Sequence, residues 1–265
     1  MQNLIIGKTA QLNFYFPDNY LRISSRNINF NEFAGRKFDC VYILFAEQRT
    51  FLNENECFFT DINVDYTLKV VNFFKEISNK VVIYSTSELW NDYEGEIEIN
   101  MPFKYNYSPY IKSKEILSTI INENKNLYKN VYIIYPFNFN SPWRKEGFLF
   151  FKIFNCILNK EKISIGDINM QRDIIHPQII VNESINTDKD KLIGTGFLIN
   201  IKKYIEDIFI SKNMTFDDYV VCNISNNLLN TRKEYYSKIK YSSYSELLNL
   251  TLNDIEISTN RLKNL

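Results

Sequence analysis

The chain has 265 residues, with Lys+Arg and Asp+Glu balanced at 31 each and one histidine. The balance removes the basic footprint of a protein that binds nucleic acid or an anionic membrane. With one histidine and cysteines at 40, 57, 156 and 222, none forming Cys-x-x-Cys, no metal site is expected. No apolar run approaches the roughly 18 residues that span a bilayer, and the sequence opens in a strand-like run without signal-peptide character, so a cytoplasmic protein is expected.

From residue 3 to about 138 short apolar runs alternate with helical stretches, the pattern of a parallel sheet with helices on both faces. The first run, Asn3-Leu-Ile-Ile, leads into Gly7-Lys8-Thr9-Ala10-Gln11-Leu12-Asn13. A dinucleotide-binding turn uses three glycines, for the tight turn, for close approach to pyrophosphate and for helix packing. Here Gly7 alone is kept, Ala10 still allows a fairly close approach, and Asn13 stands in place of the packing glycine. Pro17 limits the next helix to about two turns. Lys8-Thr9 does not make a phosphate-binding P-loop, because the glycine required five positions before Gly7 is Gln2. The second run ends in Ser25-Arg26, where a small hydroxyl followed by Arg suits the 2′-phosphate of NADP rather than the ribose hydroxyls of NAD. A solvated turn is the alternative.

The third run, Asp39 to Ala46, brings Phe45 and Ala46 to its end. The fourth, Lys80-Val-Val-Ile-Tyr84, reads as a buried parallel strand, so Ser85-Thr86-Ser87-Glu88 emerge at the carboxyl edge, where such sheets bind ligands. A helix then opens after Pro109. Spacing of four puts Tyr110 and Lys114 on one helical face, where an ammonium below the phenol favours phenolate and makes Tyr110 a general acid or base. Tyr236 and Lys240 have the same spacing but no hydroxyl-rich strand end upstream. The alternative for Ser85, Thr86 and Ser87 is capping of backbone amides. Beyond residue 139 short strands mix with helices predicted at 146–159, 198–210 and 244–250. Phe148, Phe150, Phe151 and Phe154, like Cys40 and Cys156, read as core.

Six stretches, in order, resemble the extended short-chain dehydrogenase/reductase family, in the epimerase/dehydratase group that acts on nucleotide sugars. They are Asp39 to Ala46, Asn63 to Thr67, Ile83 to Trp90, Tyr135-Pro136-Phe137-Asn138, Ile165-Gly-Asp followed by Arg172-Asp173-Ile-Ile-His-Pro177, and Ile193-Gly-Thr-Gly196. Tyr135 stands where an Arg is frequent in that family. The resemblance implies an α/β fold, a Rossmann-like doubly wound parallel sheet over 1–138 with a smaller C-terminal substrate-binding lobe over 139–265. A segment near 165–176 is expected to return to the main sheet.

It also implies site roles. Thr86, Tyr110, Lys114 and Glu88 would be catalytic. NADP by preference, or NAD, would meet Gly7, Thr9, Ala10, Gln11, Leu12, Ser25, Arg26, Phe45, Ala46, Ser85, Tyr110, Lys114 and Pro136. A nucleotide sugar would meet Ser87, Asn138, Arg144 and Arg172. Helices at about 63–78 and 110–126 would pair in a homodimer, as in relatives.

Ser87 occupies the place of an Asp that dehydratases use to eliminate water, which disfavours dehydration. The Thr-Ser-Glu run also resembles decarboxylating members, with Arg144 or Arg49 as carboxylate partners. The reading is therefore an NAD(P)-dependent reductase of a nucleotide-linked 4-keto sugar in surface-polysaccharide precursor synthesis. The alternatives are a 4-epimerase or decarboxylase with tightly held NAD, and a cofactor-poor relative that binds a sugar nucleotide or a partner without turnover.

Overall fold

The computed structural model describes residues 2–50, 55–143, 148–166, 168–223 and 233–263. In chain order the strands are β1 (Gln2–Ile6), β2 (Leu21–Ile23), β3 (Phe38–Ile43), β4 (Ser78–Tyr84), β5 (Gly95–Ile97), β6 (Val131–Pro136), β7 (Asn138–Phe139), β8 (Ile163–Ile165), β9 (Gln171–Arg172), β10 (Ile174–Ile175), β11 (Lys191–Ile193), β12 (Ile199–Asn200), β13 (Val220–Cys222) and β14 (Tyr235–Ser237). The helices are α1 (Glu56–Thr60), α2 (Thr67–Phe74), α3 (Pro109–Glu123), α4 (Leu149–Asn159), α5 (Pro177–Ile185), α6 (Ile201–Ser211), α7 (Phe216–Tyr219) and α8 (Tyr244–Lys263). They fall into two compact units. The first holds Met1–Asp92, Ile99–Pro136 and Val181–Leu192, and the second holds Tyr93–Glu98, Phe137–Ile180 and Ile193–Leu265.

The first unit is built on a six-stranded sheet of order β11-β6-β4-β3-β1-β2. The pairings from β2 through β1, β3 and β4 to β6 are parallel, and one row of partners, Leu21, Leu4, Val41, Val81 and Val131, crosses them. Four of these five are fully buried, as expected of near-continuous apolar strands covered on both faces. The sheet is Rossmann-like and doubly wound. Because β2 and β3 lie on opposite sides of β1, the topological switch falls at β1 and β3, and the crevice outside their carboxyl ends is where such sheets take ligands.

The second unit contains four short pairs, β7 with β10, β8 with β13 and β5 with β14 in parallel, and β9 with β12 antiparallel. Its core gathers Phe154, Tyr204, Ile208, Phe209, Leu247 and Ile255 from α4, α6 and α8. A polar chain runs through it, since Asn140 Nδ2 donates to Tyr204 Oη at 2.8 Å and Tyr204 Oη meets Thr251 Oγ1 at 2.7 Å. Pairing these groups avoids the penalty of leaving them buried without partners.

Three expectations change. The Arg172 segment does not return to the main sheet: β9 and β10 pair with β12 and β7, and the late strand in the six-stranded sheet is β11. After β1 the short helix ahead of Pro17 is a five-residue 3-10 segment, Gln11–Tyr15, rather than an α-helix. The last helix continues to Lys263 instead of ending near 250.

Candidate active site

Gly7 follows β1 at φ +117°, a region that only glycine adopts readily. A Cβ there would lie 3.2 Å from the Phe45 amide nitrogen and 3.4 Å from the Leu44 carbonyl carbon, so the turn runs hard against the end of β3. Lys8, Thr9 and Ala10 complete the turn, and Gln11 and Leu12 begin the 3-10 segment. After β2, Ser25 accepts at its carbonyl from Tyr66 Oη at 2.6 Å, while Arg26 is exposed, its amide bonded to Ser24 Oγ. The Tyr66 ring lies 5.4 Å from that of Phe45, which with half-buried Ala46 follows β3.

The next residues form a network that sequence reasoning did not assign. Asn63 sits in a π-helical stretch, Asp61–Tyr66, a distortion that recurs at functional sites. Its amide is fully used: Oδ1 accepts from Glu47 N at 2.7 Å, and Nδ2 donates to Glu47 O at 3.1 Å and to Ser113 Oγ at 3.0 Å. Ser113 Oγ in turn donates to the Tyr110 carbonyl at 2.7 Å. The buried Glu47 carboxylate forms a two-pronged pair with Arg49 at 2.9 and 2.6 Å, and this pairing holds its pKa below the usual carboxylate value. The sequence signal was Asn63 itself, which lay in a family-like stretch without a stated task.

Strand β4 delivers the hydroxyl run. Ser85 Oγ pairs with Ser118 Oγ at 3.1 Å, and Thr86 Oγ1 accepts from Glu88 N at 3.2 Å, capping a 3-10 turn, Ser87–Trp90. Capping uses Thr86 as an acceptor and leaves its hydroxyl proton to donate. Ser87 is buried, and Glu88 accepts from Asn91 Nδ2 at 3.3 Å.

Helix α3 opens with Ser108 as N-cap, bonded to Ile111 N at 3.1 Å, and with Pro109 at its first position. It packs on the Ser87–Trp90 turn. The segment before it is stitched to that turn by Lys104 N to Leu89 O at 2.8 Å and Asn106 N to Asn91 Oδ1 at 2.7 Å. Tyr110, half-buried, packs edge-on to Phe59. One turn on, Lys114 is buried, with Nζ donating to Tyr84 O at 3.0 Å, and burial pushes its pKa down to about 8. Thr86, Tyr110 and Lys114 thus come from β4 and α3, both in the first unit. Pro136 closes β6 in the same unit, and Tyr135 beside it is packed 5.3 Å from Trp90 rather than offered to a ligand.

Asn138 and Arg172 belong to the second unit, and Arg144 lies outside the described residues. Arg172 is paired with Ile199 and Asn138 with Ile174. Between Arg172 and Ile174 the chain changes partners at Asp173, whose buried carboxylate accepts from Thr195 N and Oγ1, both at 2.6 Å, and from Gly196 N and Ser237 N, both at 3.1 Å. Burial raises its pKa, opposed by those donors. Gly194 admits this carboxylate, since a Cβ there would lie 2.3 Å from Asp173 Oδ2. Among the described residues no helix is long and apolar enough to cross a membrane, and no three His, Cys, Asp or Glu side chains gather as metal ligands.

Comparison with known structures matches the fold over nearly the whole chain. The UDP-glucose 4-epimerase from Thermotoga maritima, solved with UDP-glucose, superimposes with a TM-score of 0.78 at 14% identity, over 97% of this chain and 99% of that one. RMD from Pseudomonas aeruginosa, complexed with NADPH, gives 0.77 at 14% identity, over 97% and 100%. The UDP-N-acetylglucosamine 4-epimerase from Methanobrevibacter ruminantium gives 0.74 at 18% identity, over 97% and 98%. No curated protein matches the sequence. The model of the NAD dependent epimerase/dehydratase family matches residues 18–178, more than half of the chain, and the protein belongs to that family.

Proposed function

We propose that the protein is a nicotinamide-dependent reductase of a nucleotide-linked 4-keto sugar, with NADPH preferred. The observation that carries the reading is the buried Lys114 ammonium at the end of β4, one helical turn from Tyr110 and beside the Thr86 hydroxyl turn. The residues fit a dinucleotide: the Gly7 turn runs close against the end of β3 without a side chain between, and Ser25 and Arg26 follow β2 with a hydroxyl and an exposed cation. Thr9, Ala10, Gln11 and Leu12 would meet its diphosphate, and Phe45, Ala46, Ser85 and Pro136 would line its path.

A bound nicotinamide supplies hydride to the keto carbon. Tyr110 then gives its proton to the keto oxygen, and Thr86 holds that oxygen through its hydroxyl. Lys114, anchored on Tyr84 O, keeps a positive field near Tyr110 and would hold the cofactor ribose. On the family resemblance, Arg172 would meet the substrate diphosphate and Asn138 the sugar nucleotide. Ser87 in place of an acidic residue supports reduction over dehydration, and RMD, solved with NADPH, is a neighbour consistent with it. The 4-epimerase reading is favoured by three neighbours that are named 4-epimerases. A homodimer through helices near 63–78 and 110–126, in cytoplasmic precursor synthesis for surface polysaccharide, completes the proposal.

The test is titration with NADPH and NADH by fluorescence, after mass spectrometry for nucleotide carried through purification. Reversible binding that prefers NADPH supports the reductase. Tightly held NAD moves the assignment to the epimerase or decarboxylase, and binding of neither leaves a non-catalytic relative that binds a sugar nucleotide or a partner.

A further inference from the structure

The first turn lacks two of the three glycines of a dinucleotide site and the helix that normally follows, yet it is not loose. Arg22, on β2, sends its side chain into the loop after that turn. Its guanidinium has five N–H groups, and each finds an acceptor. Nε donates to Asn13 Oδ1 at 2.9 Å, Nη1 to Asp18 O and Tyr20 O, both at 3.0 Å, and Nη2 to Phe16 O at 3.0 Å and Pro17 O at 2.9 Å. Asn13, buried where a packing glycine would stand, passes the connection on, with Nδ2 donating to Lys8 O at 2.8 Å. The amides of Gly7 and Lys8 both donate to Ile23 O, at 3.0 and 3.1 Å, so β2 also grips the start of the turn.

From this we propose that Arg22 and Asn13 are positioning residues for the cofactor's diphosphate, a step that rests on the dinucleotide reading above. They do the work of the missing helix. In a planar trans peptide the N–H points opposite to the C=O, so fixing Lys8 O on Asn13 turns the Thr9 amide away from Asn13. Arg22 fixes Asn13 in turn, because a guanidinium fork held by five acceptors has one orientation. The turn is thereby pre-organised from behind by a side chain rather than by a helical backbone.

The experiment compares NADPH with adenosine 2′-monophosphate, which has no diphosphate, on the wild type, Arg22→Met and Asn13→Ala. Both variants are expected to lose about tenfold in NADPH affinity while binding adenosine 2′-monophosphate as the wild type does. A folded Arg22→Met that keeps full NADPH affinity overturns the proposal, and so does equal loss for both ligands, which marks general damage at the β2 edge. A wild type that binds no dinucleotide removes the dinucleotide reading and this proposal with it. If Arg22→Met does not fold, amide exchange on the wild type decides. Slow exchange at Gly7, Lys8 and Asn13 in the free protein, with Thr9 slowing when NADPH is added, supports the proposal. An unchanged Thr9 overturns it.

Discussion

Lys114 Nζ donates to the main-chain carbonyl of Tyr84 at 3.0 Å, in a place so buried that its pKa falls to about 8. The native state therefore releases this proton near pH 8, while the unfolded chain keeps it to about 10.4. Between those values the unfolded state binds more protons, so stability rises with pH across that window. The full effect is about 3 kcal/mol. Urea unfolding from pH 7.5 to 9.5 should show a rising contribution in the wild type that Lys114→Met lacks. Parallel profiles for the two proteins would contradict it.

Tyr110→Phe removes one hydroxyl from a half-buried ring that packs on Phe59. Turnover of a 4-keto sugar nucleotide should drop by about 10²- to 10⁴-fold, the usual weight of a general acid, with cofactor affinity retained. Steady-state rates beside fluorescence titration check both halves. Full activity in this variant would remove the proposed proton donor.

Arg26→Ala takes an exposed cation from the turn after β2. NADPH affinity should weaken about tenfold and NADH affinity stay level, because the charge addresses the 2′-phosphate alone. Calorimetry with the two cofactors reads the ratio, and equal changes would assign Arg26 to the surface.

Asn63→Ala leaves the buried amide and carbonyl of Glu47 without their partner and breaks the link through Ser113 to Tyr110 O. A loss of about 2–4 kcal/mol is expected, against about 1 kcal/mol for Ser113→Ala, which removes a single hydroxyl. Urea midpoints compare them, and an Asn63→Ala loss no larger than that of Ser113→Ala would demote the network.

Asp173→Ala exposes four donors that now share one buried carboxylate. About 3–5 kcal/mol should be lost. Gly194→Ala, which drives a methyl group into the same carboxylate, should destabilise as well, and the double variant should fall short of the sum. Strict additivity in thermal unfolding would show that the two residues act apart.

Much of this was legible in the sequence, and the reason differs by element. The apolar runs that became β1, β3, β4 and β6 announce themselves because a strand buried on both faces has no polar position to confuse the period. The placement of Thr86 after a strand end and of Tyr110 and Lys114 in the first turns of a helix was legible for a related reason, since both are set by local signals, including Pro109 and the Ser108 cap. The partner of the Arg172 segment was not. Two-residue pairings such as β9 with β12 are chosen by tertiary contacts of Asp173 with residues more than twenty positions away, and no local period encodes them. Asn63 escaped assignment because its three bonds reach positions 47 and 113, which are neighbours only after folding. Of the tasks weighed for Thr86, the structure shows the cap, with its oxygen accepting from Glu88 N.

Four of the five atoms that Arg22 grips are main-chain oxygens, of Phe16, Pro17, Asp18 and Tyr20. Every amino acid brings such an oxygen. These four bonds therefore draw on the course of the backbone rather than on the side chains that Phe16, Pro17, Asp18 and Tyr20 carry, whereas a lysine at position 22 would lack the fork to hold it. The course of this loop thus hangs on one arginine codon, and a change there is felt by five acceptors at once.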